Sequence, residues 1–325
     1  MKTSQFKNIL QEIHSLNTLQ FRQLKEHIIS IESQEEVAHQ VESSRETVHC
    51  PHCQDKRVQR WGRRNGLQRY RCKECHKTFN CLTGTPLGRL RKKEYWLDYA
   101  DCISSGLSVR KSALKCQIHR NTAFRWRHRF LKNANSIKPD NLNGIVEVDE
   151  TYFLKSEKGN KNLLRKSRKR GGKASQRGVS KELVCVLVCR DRNKSTFDKI
   201  FESFNASELE VAINGILSKD ALFCSDGKPV YKKYVKENMI RHGCLNLSKG
   251  IRVKKDIVHI QNVNAYHSRL KEWLFRFHGV ATKYLENYLS WFRELDEFNM
   301  QISPKTILLR AKQCEKYKIQ PLTVT

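Results

Sequence analysis

Gly144-Ile-Val-Glu-Val-Asp-Glu-Thr-Tyr152 is the stretch around which the rest of the chain is organised. The β-branched Ile145, Val146 and Val148 follow a turn-forming Gly144 and read as a short strand, yet Glu147, Asp149 and Glu150 lie within it. An unpaired charge in an apolar strand is costly, and a divalent cation with its preference for oxygen ligands offsets that cost. A second strand, Ala221-Leu-Phe-Cys-Ser-Asp226-Gly227, also ends on an Asp, and His259-Ile-Gln-Asn-Val-Asn264 leads into a helix. Asp is common at strand ends because it favours turns. The rest of the chain therefore decides between a metal centre and ordinary turn chemistry. Glu147 and Glu150 are expected on the strand face away from Asp149, outside the site.

The chain has 325 residues, enough for two or three domains with a sizeable core. Its net charge of +29 and pI of about 9.8 exceed what a solvated surface explains. They predict a polyanionic partner, nucleic acid first and an anionic membrane second. No apolar run is long enough to predict a membrane span, and the N-terminus lacks the pattern of a secretory signal. An intracellular protein is expected, so its twelve Cys read as thiols or metal ligands rather than disulfides.

Residues 1–40 carry two apolar stripes at helical spacing, Phe6, Ile9, Leu10, Ile13 and Leu16, then Leu24, Ile28 and Ile31. They predict a helical hairpin that packs or dimerises. The polar 33–47 reads as a linker. Residues 48–82 contain Cys50-Pro-His-Cys53 and Cys72-Lys-Glu-Cys75, separated by eighteen residues. Paired Cys-x-x-Cys turns at this spacing fit a four-thiolate structural Zn²⁺ of the ribbon type. The hairpin between them carries Arg57, Arg60, Arg63, Arg64, Arg69 and Arg71 interleaved with Trp61 and Tyr70, a surface suited to a phosphate backbone. Residues 86–135 read as helices. Leu87–Ile103 is the first, Ser108–Leu114 the second, and the basic Asn121–Phe130 the third, after a break at Cys116–His119. A supporting helix, a short turn and a basic helix is the helix-turn-helix pattern, with Arg120, Asn121, Arg125 and Arg129 able to reach bases or phosphates. Phe124 and Trp126 are expected to pack. A basic helix on an ordinary helical domain has the same local pattern.

From Gly144 the pattern turns to strands. An insertion at 155–178 holds ten Lys or Arg and one Glu, including Lys166, Arg168, Lys169, Arg170 and Lys173. It cannot bury a core and reads as a mobile basic loop for nucleic-acid backbone, a localisation signal or a solvated loop. Leu183–Cys189 reads as a central strand and Ser195–Phe201 as the next. A helix over Glu208–Leu217 follows, with Ser207 as its cap. The Asp226 strand, a helix at Tyr231–Asn238 and a short strand or loop at Arg241–Leu247 complete the series. This order suggests an α/β, RNase H-like fold over 144–300, in which the first and fourth strands, bearing Asp149 and Asp226, lie side by side. On the helix Asn262–Phe277, Asn264 and Lys271 are two turns apart on one face, shared with His267 and Ser268. Lys283–Phe298 reads as a core helix. Residues 301–325 form a last helix and tail, with Ser303 as cap and Pro304 in the first turn.

The zinc-ribbon cysteines, Val148-Asp-Glu-Thr-Tyr152, Arg168-Lys-Arg-Gly-Gly-Lys173, Ser225-Asp-Gly227 and His259-Ile-Gln-Asn-Val-Asn264 occur in an order that resembles the ISXO-like group of DDE-type insertion-sequence transposases. The resemblance spans nearly the whole chain. It implies a DNA transposase of an insertion sequence, with Asp149, Asp226 and Asn264 holding Mg²⁺ or Mn²⁺. Many DDE enzymes have Glu at the third position. Asn followed by a Lys, here Lys271, is the variant that the resemblance assigns to this group. An Asn carbonyl ligates a hard cation but brings no charge and is no base. His259, in the same motif, is a further candidate for positioning phosphate or metal. The resemblance also implies binding to terminal inverted repeats, at least a homodimer on two DNA ends, and a prokaryotic cytoplasmic, nucleoid-associated location. The alternative is a domesticated transposase without catalysis that binds specific DNA sequences.

Overall fold

The computed structural model describes residues 2–43, 48–133, 138–163, 165–168, 171–176, 178–246, 249–254 and 256–313. The chain divides into two compact units, Met1–Phe130 with Ile302–Thr325, and Leu131–Gln301.

The first unit begins with helices α1 (Thr3–His14) and α2 (Thr18–Ser43). Of the stretch 33–47 expected to be a linker, residues 33–43 are instead the second half of α2, and residues 44–47 lie outside the described residues. Val37, Ala38 and Val41 are buried there at helical spacing, and that apolar stripe outweighs the polar average of the segment. A three-stranded antiparallel sheet follows, β1 (Val58–Arg64), β2 (Leu67–Cys72) and β3 (Thr78–Phe79) in that order. Leu87–Ile103 is not one helix. Arg89 and Lys92 adopt left-handed backbone angles, φ 62° and 58°, which end any helix through them. A 3₁₀ turn at Lys93–Tyr95 then leads into α3 (Trp96–Ser104), α4 (Val109–Lys115) and α5 (Arg120–Phe130). Tyr99 packs edge-on against Trp126, with ring centroids 5.3 Å apart, and against Phe130 at 5.5 Å. The last described helix, α10 (Pro304–Lys312), is capped by Ser303 and packs against α3, α5 and α2 in this unit.

The second unit is mixed α/β. Its sheet contains β4 (Ile145–Leu154), β5 (Leu183–Asp191), β6 (Thr196–Phe201), β7 (Leu222–Ser225) and β8 (Arg241–Cys244), in the order β6-β5-β4-β7-β8. The β4–β5 and β5–β6 pairs are antiparallel, while β4–β7 and β7–β8 are parallel. β5, expected as the central strand, is an interior strand next to the central β4, and it is buried along almost its whole length, as its continuous apolar run requires. One sheet face, with Val146, Val148, Leu187 and Cys189, packs against α6 (Ala206–Ile213) and α7 (Pro229–Glu237). Asn205, rather than Ser207, caps α6, accepting the Glu208 N–H at 2.9 Å. The other face is covered by α8 (Gln261–Phe275) and α9 (Leu285–Glu297). Arg190 on β5 meets Asp296 at 2.9 Å and Arg293 meets Asp198, tying α9 to the sheet by buried ion pairs.

Candidate active site

Register brings the two Asp together. In the parallel β4–β7 pair, Ile145 lies opposite Leu222 and Glu147 opposite Cys224. Two residues further, the same register sets Asp149 beside Asp226. Lys228, at the start of α7, ties this end of the sheet to its other face. Its ammonium lies 3.2 Å from Asp226 Oδ2 and also bonds Glu150, whose second oxygen accepts from the Tyr231 hydroxyl. Burial pushes the Asp149 carboxyl up to about 7. The charge of Glu150 adds to the shift, Lys228 opposes it, and Asp226 adds again. A partly buried carboxylate beside two others, incompletely neutralised by one ammonium, is an environment that a cation relieves.

Glu150 lies on the face away from Asp149, as strand alternation predicts. Glu147 does not, because a residue two positions from Asp149 must share its face. Glu147 is fully buried and receives the first turn of α8. The N–H groups of Asn262 and Val263 donate to its Oε2 at 2.8 and 3.0 Å, and the Asn262 amide donates to Oε1 at 2.8 Å. The position preceding α8 is Ile260, which has no side chain able to cap. Glu147 supplies the missing acceptor and places a negative charge at the positive end of the helix. Arg192 at 3.1 Å and His259 at 3.3 Å complete its partners. His259 also lies 2.7 Å from Arg192, so its contacts are with this anchor of α8.

Thus fixed, α8 presents Asn264, His267 and Lys271 at i, i+3 and i+7 on one flank. Asn264 and Lys271 are exposed. His267 is buried, with Nδ1 3.8 Å from Asp149 Oδ2. Burial, with a contribution from Lys271, lowers its imidazole to about 4, so it is neutral at physiological pH. The structure therefore joins Asp149, Asp226 and His267, and sets Asn264 and Lys271 on the exposed side of the same flank. His267 was absent from the sequence-derived site, although its spacing from Asn264 and Lys271 was visible there.

In the first unit, the sulfur atoms of Cys50, Cys53, Cys72 and Cys75 all lie within 4.8 Å of one another. The Cys50–Cys75 and Cys53–Cys72 separations are both 3.5 Å. A tetrahedral site with Zn–S of about 2.3 Å has edges of roughly 3.8 Å, so the four thiols fit a structural zinc ion. The His52 and Glu74 N–H groups donate to the Cys50 and Cys72 sulfurs, each at 3.4 Å.

In α4 and α5, Trp126 is buried while Phe124 is exposed, stacked edge-on with His128. Buried Arg127 clamps the pair, donating to Leu107 O at 2.7 Å and Ser112 Oγ at 3.1 Å. Arg120, Asn121, Arg125 and Arg129 are exposed, with Arg129 also donating to Gly88 O at 2.8 Å. In the basic insertion, Lys166 and Lys173 are exposed, and Arg168 bonds Lys155 O and Glu182. Lys169 and Arg170 lie outside the described residues. No helix among the described residues is long and apolar enough to cross a membrane.

Residues 141–293 match the family described as the ISXO2-like transposase domain. The chain is also similar to an uncharacterized protein in the transposable element ISH50 of Halobacterium salinarum. That match is 27% identical over 253 residues, covering 77% of this chain and 85% of the relative.

Proposed function

We propose that this chain, which belongs to the ISXO2-like transposases, cuts and joins DNA at a centre built from Asp149, Asp226 and Asn264. The observation that carries the reading is the β4–β7 register, which runs on to set Asp149 beside Asp226, with α8 anchored across them through Glu147. The sheet, antiparallel through its first three strands and parallel through the last two, supports an RNase H-like assignment. Bound Mg²⁺ or Mn²⁺ would supply activation of water or a DNA 3′-hydroxyl and stabilisation of the leaving oxygen.

The chain's own residues have the following roles. Asp149 and Asp226 supply carboxylate ligands. Asn264 supplies a neutral carbonyl on the exposed side. Neutral His267 backs the Asp149 carboxylate and limits its rotation. Lys271 meets a phosphate near the scissile bond as a point charge. Lys228 holds Asp226 in place from the opposite side. Cys50, Cys53, Cys72 and Cys75 hold structural Zn²⁺. The α4–α5 pair acts as a helix-turn-helix, with Arg120, Asn121, Arg125 and Arg129 directed to the element ends. Lys166, Arg168, Lys169, Arg170 and Lys173 hold flanking or target backbone. Two copies act together, because two ends must be joined.

The test is cleavage and joining of labelled duplexes bearing the element's own ends, with Mg²⁺ or Mn²⁺. Wild type is expected to cut at the ends, while Asp149→Ala and Asp226→Ala bind but do not cut. Tight binding by wild type without cleavage under either metal would replace this reading with that of a DNA-binding protein.

A further inference from the structure

The two flanks of α8 differ. Asn264, His267 and Lys271 share the flank on which His267 meets Asp149. Asn262, Ala265 and Arg269, at the same i, i+3 and i+7 spacing, line the opposite flank and open onto a separate cavity of about 470 Å³. Its other walls are the end of β5, the β5–β6 turn and the end of α9.

Four cations converge there, Arg190, Arg192, Lys194 and Arg269, against two lining carboxylates, Asp191 and Asp296. Neither carboxylate is in surplus. Asp296 serves two guanidiniums at once, Arg190 at 2.9 Å and Arg269 at 2.7 Å. Asp191 Oδ1 is taken by the N–H groups of Asn193 and Ser195, each at 2.9 Å. Those two bonds fix the turn that carries Lys194, which adopts φ 72° at its tip. Lys194 has no ion pair among the described residues. Arg192 shares the Glu147 carboxylate with the first turn of α8, and its Nε is buried with no acceptor among the described residues. Counting Glu147, the cavity therefore holds four cations against three carboxylates, a net positive charge centred on Lys194, in a space several times larger than one inorganic phosphate. An open basic cavity of that size suits a phosphate still attached to its sugars.

We propose that this cavity grips a backbone phosphate of the DNA on which the enzyme acts, on the flank of α8 turned away from Asp149. The inference rests on the transposase reading for the identity of the ligand. It adds a contact that no motif in the sequence marks. Lys194 borders the cavity from the β5–β6 turn and Arg269 from α8, with Arg192 at the start of the same turn. DNA held there is fixed to the same helix that bears Asn264 and Lys271, so its position is transmitted rigidly to the cutting site.

The experiment measures binding of the full-length, zinc-loaded protein to a labelled duplex, with no Mg²⁺ or Mn²⁺ added, over a series of salt concentrations. Each phosphate contact contributes about 0.9 to the slope of log affinity against log salt. Lys194→Asn keeps a residue that tolerates the left-handed turn. It is expected to lower the slope by about 1 and the affinity by about tenfold at low salt. Arg269→Gln is expected to act in the same direction, and Lys194→Arg to restore binding. Lys219→Gln, on an exposed turn before β7, removes the same charge away from the cavity and is expected to leave the slope unchanged. Melting curves of each variant establish that it is folded. If wild type binds and neither cavity variant changes the slope beyond the Lys219 control, the proposal is overturned while the transposase reading stands. Wild type that binds no duplex at all overturns both. A parallel calorimetric titration with inorganic phosphate separates the two sources of the anion. Binding tighter than about 1 mM that Lys194→Asn abolishes, with DNA binding unaffected, assigns the cavity to free phosphate and overturns the DNA proposal.

Discussion

Removing the Glu147 carboxylate is expected to loosen α8 without touching a proposed metal ligand. The buried side chain accepts three N–H bonds from Asn262 and Val263, at 2.8, 2.8 and 3.0 Å, and pairs with Arg192 at 3.1 Å. Glu147→Ala leaves two backbone donors without their acceptor and the Arg192 charge without a carboxylate. Each buried donor left without an acceptor costs about 1–3 kcal/mol, so the two backbone donors together cost roughly 2–6 kcal/mol. For a domain of this size each kcal/mol lowers Tm by about 2–4 °C, so the expected fall is roughly 4–24 °C. Glu147→Gln keeps one carbonyl acceptor and loses the charge, and its expected cost is smaller, about 1.5–3 kcal/mol, the worth of a hydrogen bond to a charged group. Thermal melting gives the total effect, and amide hydrogen exchange locates it. The N–H groups of Asn262 and Val263 should lose protection first and most. Cleavage should fall with them, because Asn264 lies on the next residue of the same turn. A Glu147→Ala protein that melts within about 2 °C of wild type, with those amides still protected, would falsify the claim that this carboxylate holds the helix.

Three further outcomes are expected. The Asp149 carboxyl is pushed up to about 7 from an ordinary value of 3.8, so the folded chain holds an extra proton between those values. Its contribution to stability is present below about pH 4 and is lost as the pH rises through 7. Denaturation of the Mg²⁺-free protein should show this decline and Asp149→Asn should flatten it, while Mg²⁺ affinity in the wild type rises over the same window. Arg127→Leu strands Leu107 O and Ser112 Oγ and should destabilise the first unit by about 1–3 kcal/mol in urea melts, whereas Arg125→Gln should leave stability intact and weaken DNA binding. Cys72→Ser, or removal of zinc by a chelator, should unfold the β1–β3 sheet, seen as loss of protection across Val58–Phe79, because so small an element depends on its metal for stability.

The parts of the chain legible in advance were those whose signal is local and periodic. The Cys-x-x-Cys spacing, the apolar β5 run and the end of β7 just before Asp226 each encode one physical demand within a few residues, whereas Asp149, expected at a strand end, lies in the middle of β4. Boundaries failed where tertiary packing supplied the demand. The second half of α2 is polar on average and becomes helix because three buried side chains suffice. Leu87–Lys92 has helical spacing but is turned by two left-handed residues that composition does not mark. Glu147 was the instructive miss. Strand alternation alone places it on the Asp149 face, so its side was legible. Its purpose was not, because that depends on a helix start more than a hundred residues later that lacks its own cap. The absent capping residue before Gln261 is itself a sequence signal. A helix opening on Ile260 with no Ser, Thr, Asp or Asn must find its acceptor elsewhere, and a carboxylate two residues before Asp149 meets that need. The same side chain thereby sets the distance between the strand that bears Asp149 and the helix that bears Asn264. Stability and the geometry of the proposed centre are in this way tied to one buried charge, which is why its removal should be felt in both.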